Sequence, residues 1–125
     1  MDRHDMRVVI VDDQAPFREA ARAVLEAMVG FAVVGSAETG EEGLALARSL
    51  RPDLVLLDVN LPGLTGVEVS RLLTDQEFAA NVVLVSTYDV SEWGEEVSQC
   101  GAVGYLRKSD FGADRLLELL DGGRG

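Results

Sequence analysis

The chain has 125 residues, 47% apolar and 26% charged, which suits one ordinary globular domain with a single core. A formal net charge of −11 argues against direct binding of nucleic acid or anionic membranes, and no apolar run approaches a membrane span. The single Cys100 and the single His4 exclude an internal disulfide, a zinc site, and Cys–His or Ser–His–Asp catalysis.

The polar start "MDRHDMR" lacks the apolar stretch of a signal peptide, which points to the cytoplasm. The first apolar run, "RVVIV" (7–11), ends on Asp12 and Asp13. "APFREAARAVLEAMV" then carries a one-sided stripe of Phe17, Ala20, Ala21, Val24, Leu25 and Met28, with Pro16 where a first helical turn tolerates it. "FAVVG" (31–35) is the second run. It leads into "GEEGLALARSL", acidic at its start and with Arg48 and Arg51 near its end, as the helix dipole favours. "DLVLL" (53–57) runs straight into Asp58, and Pro62 and Gly63 then break the chain before a third helical stretch, "GVEVSRLLT". "NVVLV" (81–85) ends at Ser86 and Thr87. The fourth helical stretch, "SEWGEEVSQCG", is the weakest, because Gly94 inside it costs roughly 1 kcal/mol relative to Ala. "VGYLR" (103–107) precedes Lys108, "DRLLELL" is the last helix, and residues 122–125 read as a flexible tail or the start of a linker.

Five short, β-branched runs that are apolar on both faces predict a parallel sheet covered on both sides. Strand–helix alternation with right-handed crossovers gives an open, doubly wound sheet. Ligands bind such sheets outside the carboxyl ends of the strands. Asp12, Asp13, Asp58, Ser86 and Lys108 all follow strands, so all fall on that one edge. In a flavodoxin-like order, 2-1-3-4-5, strands 1 and 3 are neighbours and the three acids converge. Crowded carboxylates repel and raise each other's pKa, and a hard divalent cation such as Mg²⁺ reverses that interaction. A carboxylate left partly free can attack phosphorus, with the metal neutralising charge on the transferring oxygens. Lys108 would add a compact positive charge, and Ser86 could donate a hydrogen bond to a phosphate oxygen.

Taken singly, each of these residues has an ordinary alternative. Asp12, Asp13 and Asp58 could be helix caps or turn formers, Ser86 a turn residue, Lys108 and Arg18 solvated surface, and Tyr105 core. Cys100 reads as a small apolar filler and the acids near Asp75 as surface, while Trp93 packs on the fourth helix or meets a partner. Two other classes use related chemistry. An FMN-binding electron-transfer domain needs a Ser/Thr/Gly-rich phosphate loop where this chain has "DDQAP". An aspartyl-nucleophile phosphatase typically wants Asp-x-Asp after strand 1, where the acids here are adjacent.

From Arg7 to Leu120 the chain resembles the receiver domain of bacterial two-component response regulators. The resemblance rests on the acidic pair in "VVIVDDQ", on "LLDVNLPGLTG", on the hydroxyl in "VLVSTYD", and on "GAVGYLRKS" with an aromatic three residues before the lysine. It implies a single receiver domain over 1–125, with a core of about 7–121, acting as a phosphorylation-activated switch and not as a turnover enzyme. It further implies Asp58 as phosphoacceptor, Asp13 as a direct metal ligand, Asp12 acting largely through water, and the Asn60 main-chain carbonyl as a further ligand. Ser86 and Lys108 would meet the phosphoryl group, and Ser86, Thr87 and Tyr105 would form the switch. The implied cofactor is Mg²⁺, replaceable by Mn²⁺. The implied partner is a histidine kinase or phosphotransfer protein, with phosphorylation-dependent homodimerisation among the output modes. Leu61 stands where Met is common, Ser86 where Thr is common, and Ser109 where many relatives have Pro after the lysine. The wording "STYD" and "YLRKSDF" is nearest to receivers that precede a helix-turn-helix output domain in transcription factors.

Overall fold

A computed structural model describes residues 6–75, 81–87 and 99–122. His4, most of the expected fourth helix with Trp93 and Gly94, and the tail from 123 onward lie outside the described residues.

Five parallel strands form one sheet in the order β2-β1-β3-β4-β5, the flavodoxin-like arrangement. They are β1 (Met6–Val11), β2 (Phe31–Ala37), β3 (Leu54–Asp58), β4 (Asn81–Ser86) and β5 (Gly104–Arg107). The described helices are α1 (Ala15–Glu26), α2 (Gly40–Leu50), α3 (Gly66–Asp75) and α4 (Ala113–Gly122).

Alternation along each strand divides the core in two. Val9, Val11, Val55, Leu57, Val82 and Leu84 point to one face and pack with Leu44 and Ala47 of α2 and Val69 and Leu73 of α3. Val8, Ile10, Leu54, Leu56, Val83 and Val85 point to the other, against Ala21 and Leu25 of α1 and Leu116 of α4. Burial on both faces is complete only for the inner strands, where β1, β3 and β4 are almost wholly buried. The edge strands depart from the expected pattern: β2 is half-buried along most of its length, and Tyr105 on β5 is 47% exposed. An edge strand lacks a neighbour on one side, so its apolar character does not guarantee burial.

Local chemistry sets the helix ends. Thr65 and Glu68 make a reciprocal capping box at the start of α3: the Glu68 amide donates to Thr65 Oγ1 and the Thr65 amide donates to Glu68 Oε1. Thr39 caps α2 by accepting from the Glu42 amide. At the other end of α2, Arg51 takes the left-handed conformation, and the Arg7 guanidinium donates to the carbonyls of Leu50 (2.8 Å) and Arg51 (3.0 Å). The stripe that predicts α1 as far as Val29 overshoots. The helix ends at Glu26, and Met28–Gly30 turn into β2 through Gly30 at φ 86°, leaving Val29 94% exposed.

Candidate functional site

The site is built where β1 and β3 end side by side. Val8–Val11 of β1 pair with Leu54–Leu57 of β3, so the next residue of each strand, Asp12 and Asp58, emerges at the same edge. Both are buried, Asp12 completely, whereas Asp13 is exposed. Each buried acid makes a tight local turn. Asp12 Oδ1 accepts from the Gln14 amide at 2.8 Å, and Asp58 Oδ1 accepts from the Asn60 amide at 3.0 Å. The Asp12 backbone is tied twice more. Its amide donates to the Ala37 carbonyl at 3.0 Å, and its carbonyl accepts from the Arg18 guanidinium at 2.8 Å. Arg18, which reads as solvated surface in the sequence, is mostly covered and braces the loop that carries Asp12 and Asp13; its other terminal nitrogen lies 3.6 Å from Glu38.

Gly66 brings the start of α3 against the end of β3. A Cβ at that position would run into the Asp58 carbonyl oxygen, and the Gly66 amide donates to the Val59 carbonyl at 3.0 Å. The "LPGLTG" segment is thus the means by which the chain leaves the acid and returns in a helix without pushing the carboxylate away.

Carboxylate oxygens of Asp12, Asp13 and Asp58 all lie within 4.8 Å of one another. Lys108, just past β5, reaches across to them: its ammonium is 2.7 Å from Asp12 Oδ2 and 3.3 Å from Asp58 Oδ2. It also donates to Gln14 Oε1 at 2.9 Å and lies 5.0 Å from the centre of the Phe17 ring. Asp12 Oδ2 is fully buried and takes no well-directed hydrogen bond among the described residues; its contact with Lys108 is an ion pair. Burial pushes the Asp58 carboxyl up from 3.8 to about 6, and the Asp12 charge adds to that effect. The Asn60 amide and Lys108 pull the other way.

An all-oxygen donor set with a surplus of negative charge suits a hard cation such as Mg²⁺. The orphaned, buried Asp12 Oδ2 is the specific sign that the site fits one, because one ammonium does not satisfy two buried carboxylates.

Ser86 is buried at the end of β4, one residue beyond Val85, the partner of Asp58, and it pairs across to Arg107, the neighbour of Lys108. Thr87 follows it and is exposed. Tyr105 on β5 pairs with Leu84 on β4, set back from the edge that holds the acids. Lys108–Asp110 form a single 3-10 turn, and no cis peptide bond occurs among the described residues, the Lys108–Ser109 bond included. Two contributors escape sequence reasoning, Gln14 and Arg18. Their only signal is proximity to the acidic pair, and long polar side chains there can equally point to solvent.

The model of the response regulator receiver domain family matches residues 8–121. The chain is 32% identical over its whole length to the transcriptional regulatory protein YxjL of Bacillus subtilis, covering 57% of that protein. It is 38% identical over 82% of its length to the response regulator GacA of Pseudomonas aeruginosa, covering 48% of it. Among solved structures, the signal receiver domain of a NarL response regulator from Mycobacterium tuberculosis superposes with a TM-score of 0.89 at 32% identity, covering 98% of this chain and 99% of that one. The chain therefore belongs to the receiver domains of two-component response regulators, which are signalling domains and not turnover enzymes. It spans about half the length of the curated relatives it matches. No helix among the described residues is long and apolar enough to cross a membrane.

Proposed function

We propose that Asp58 accepts a phosphoryl group from a phosphohistidine carried by a histidine kinase or phosphotransfer protein, and that the modified domain changes its partner-binding face. The observation that carries this reading is the meeting of three carboxylates from two βα turns with the Lys108 ammonium. Asp13 would hold Mg²⁺ directly, Asp12 largely through water, and Asp58 and the Asn60 main-chain carbonyl would complete the protein's share; Mn²⁺ can substitute. When bound, the cation supplies neutralisation of the charge on the transferring oxygens.

Asp58 Oδ2, as Lys108 releases it, attacks phosphorus and forms the acyl phosphate. The P–N bond breaks, its electron pair goes to the imidazole, and the imidazole takes up a proton. Lys108 trades its contact with Asp58 for a phosphoryl oxygen, to which Ser86 donates its hydroxyl. The pull on Ser86 and Thr87 at the end of β4 biases a pre-existing equilibrium, and Tyr105, half-exposed on β5, changes its position as the readout. Hydrolysis of the acyl phosphate, catalysed within the same site, resets the switch. Phosphorylation-dependent pairing of two copies is one output of such a change.

Acetyl phosphate with Mg²⁺ tests the chemistry. Intact-mass measurement should show a labile adduct in the wild type and in Asp75→Asn but none in Asp58→Asn. An adduct that persists in Asp58→Asn would overturn the assignment. The lengths of the relatives, two of them named transcriptional regulatory proteins, favour a second layer to this reading, in which the domain (core about 7–121) controls a transcriptional output. Sequencing the coding region around the domain checks it directly: a helix-turn-helix segment is the expected finding.

A further inference from the structure

Gln14 directly follows the acidic pair, and its side-chain carbonyl accepts a hydrogen bond from Lys108 at 2.9 Å. The same ammonium stands 2.7 Å from Asp12 Oδ2 and 3.3 Å from Asp58 Oδ2. It donates hydrogen bonds to Gln14 Oε1 and Asp58 Oδ2 and is ion-paired with Asp12 Oδ2, so three oxygens share it. Two of the acceptors are anionic and belong to the cluster. The third is neutral and sits at the entry to α1. Phe17, on the first turn of α1, stands 5.0 Å from the ammonium and packs edge-on against Phe111 at 5.7 Å, just past Lys108 in the chain. An amide oxygen and an aromatic ring therefore engage Lys108 from α1, in addition to its carboxylates.

We propose that Gln14 is a positioning residue for phosphoryl transfer: it shares the Lys108 ammonium with Asp12 and keeps it from closing down on Asp58. The proposal rests on the reading of Asp58 as phosphoacceptor. An ammonium and a divalent cation compete for the same carboxylate oxygens. With only anionic partners, the ammonium would close on Asp58 as it already has on Asp12, occupy an oxygen that a cation needs, and blunt Asp58 as a nucleophile. A neutral acceptor offers it another partner at little electrostatic cost. The 3.3 Å separation from Asp58 is long for a charge-assisted bond and fits an ammonium that is shared.

Gln14→Met keeps the side chain's length and removes the acceptor. Two quantities report the effect: the Mg²⁺ concentration that gives half of the maximal rise in melting temperature, and the rate of adduct formation with acetyl phosphate at saturating Mg²⁺. Gln14→Met should raise the first and slow the second by about fivefold each, the size of one charge-assisted hydrogen bond at a partly exposed site. In a Lys108→Met background, Gln14→Met should change neither quantity, because its effect runs through the lysine. An effect of equal size without Lys108, or no effect in the wild-type background, overturns the proposal. A wild type that forms no adduct, or an adduct that survives Asp58→Asn, sinks the phosphoacceptor reading instead, and this proposal falls with it.

Discussion

Asp58 is a carboxylate that folding makes harder to ionise, and this has a measurable consequence. Its folded pKa of about 6 stands above the unfolded value of 3.8, chiefly because of burial. Between those values the folded chain binds a proton that the unfolded chain has released. Metal-free stability should therefore be highest at the acidic side of this window and fall as pH rises through about 6. Above it the ionised carboxylate costs about 2 to 3 kcal/mol. Asp58→Asn should recover most of that cost at pH 7 in EDTA and flatten the profile between pH 4 and 6, as measured by urea unfolding. Lys108 works in the opposite sense. Lys108→Met leaves Asp12 and Asp58 facing each other without their ammonium, and should cost about 2 to 4 kcal/mol at pH 7 without metal. The loss should shrink at pH 5, where Asp58 can take up a proton.

The elements around the site are held by contacts that tolerate little change. The α3 start fits against β3 only because position 66 has no side chain. Gly66→Ala would drive a Cβ into the Asp58 carbonyl, and either α3 or the acid must move. Denaturant unfolding should show a loss of at least about 2 kcal/mol, together with weaker Mg²⁺ binding. At the far end of the sheet, Arg7 ties β1 to the last carbonyls of α2. Arg7→Met should cost about 1 to 3 kcal/mol by leaving those carbonyls without their charged donor, yet leave the Mg²⁺ affinity unchanged. The contrast separates damage to the frame from damage to the site.

For the molecule as a whole, a ligand that relieves buried repulsion must stabilise the fold. Mg²⁺ at about 100 times its dissociation constant should add about 2.7 kcal/mol and raise the melting temperature relative to EDTA. Asp13→Ala should abolish most of that rise. Equal melting curves with and without Mg²⁺ in the wild type would show that the acidic cluster does not take the cation.

Much of this arrangement is legible in the primary chain. Strand–helix alternation, period-2 burial and the sheet's handedness all follow from patterning, because apolar faces must be covered and crossovers have one favoured hand. They also dictate that Asp12, Asp13, Asp58, Ser86 and Lys108 share an edge, since each follows a strand. Packing decided the rest. The exposure of Tyr105 depends on β5 having no strand beyond it among the described residues. The end of α1 depends on the turn at Gly30 and not on its apolar stripe. Above all, the engagement of Lys108 by Gln14 joins residues 94 positions apart. No local propensity encodes which of several oxygens a long, flexible ammonium will choose. Only the assembled sheet brings the end of β1 and the end of β5 within reach of one side chain.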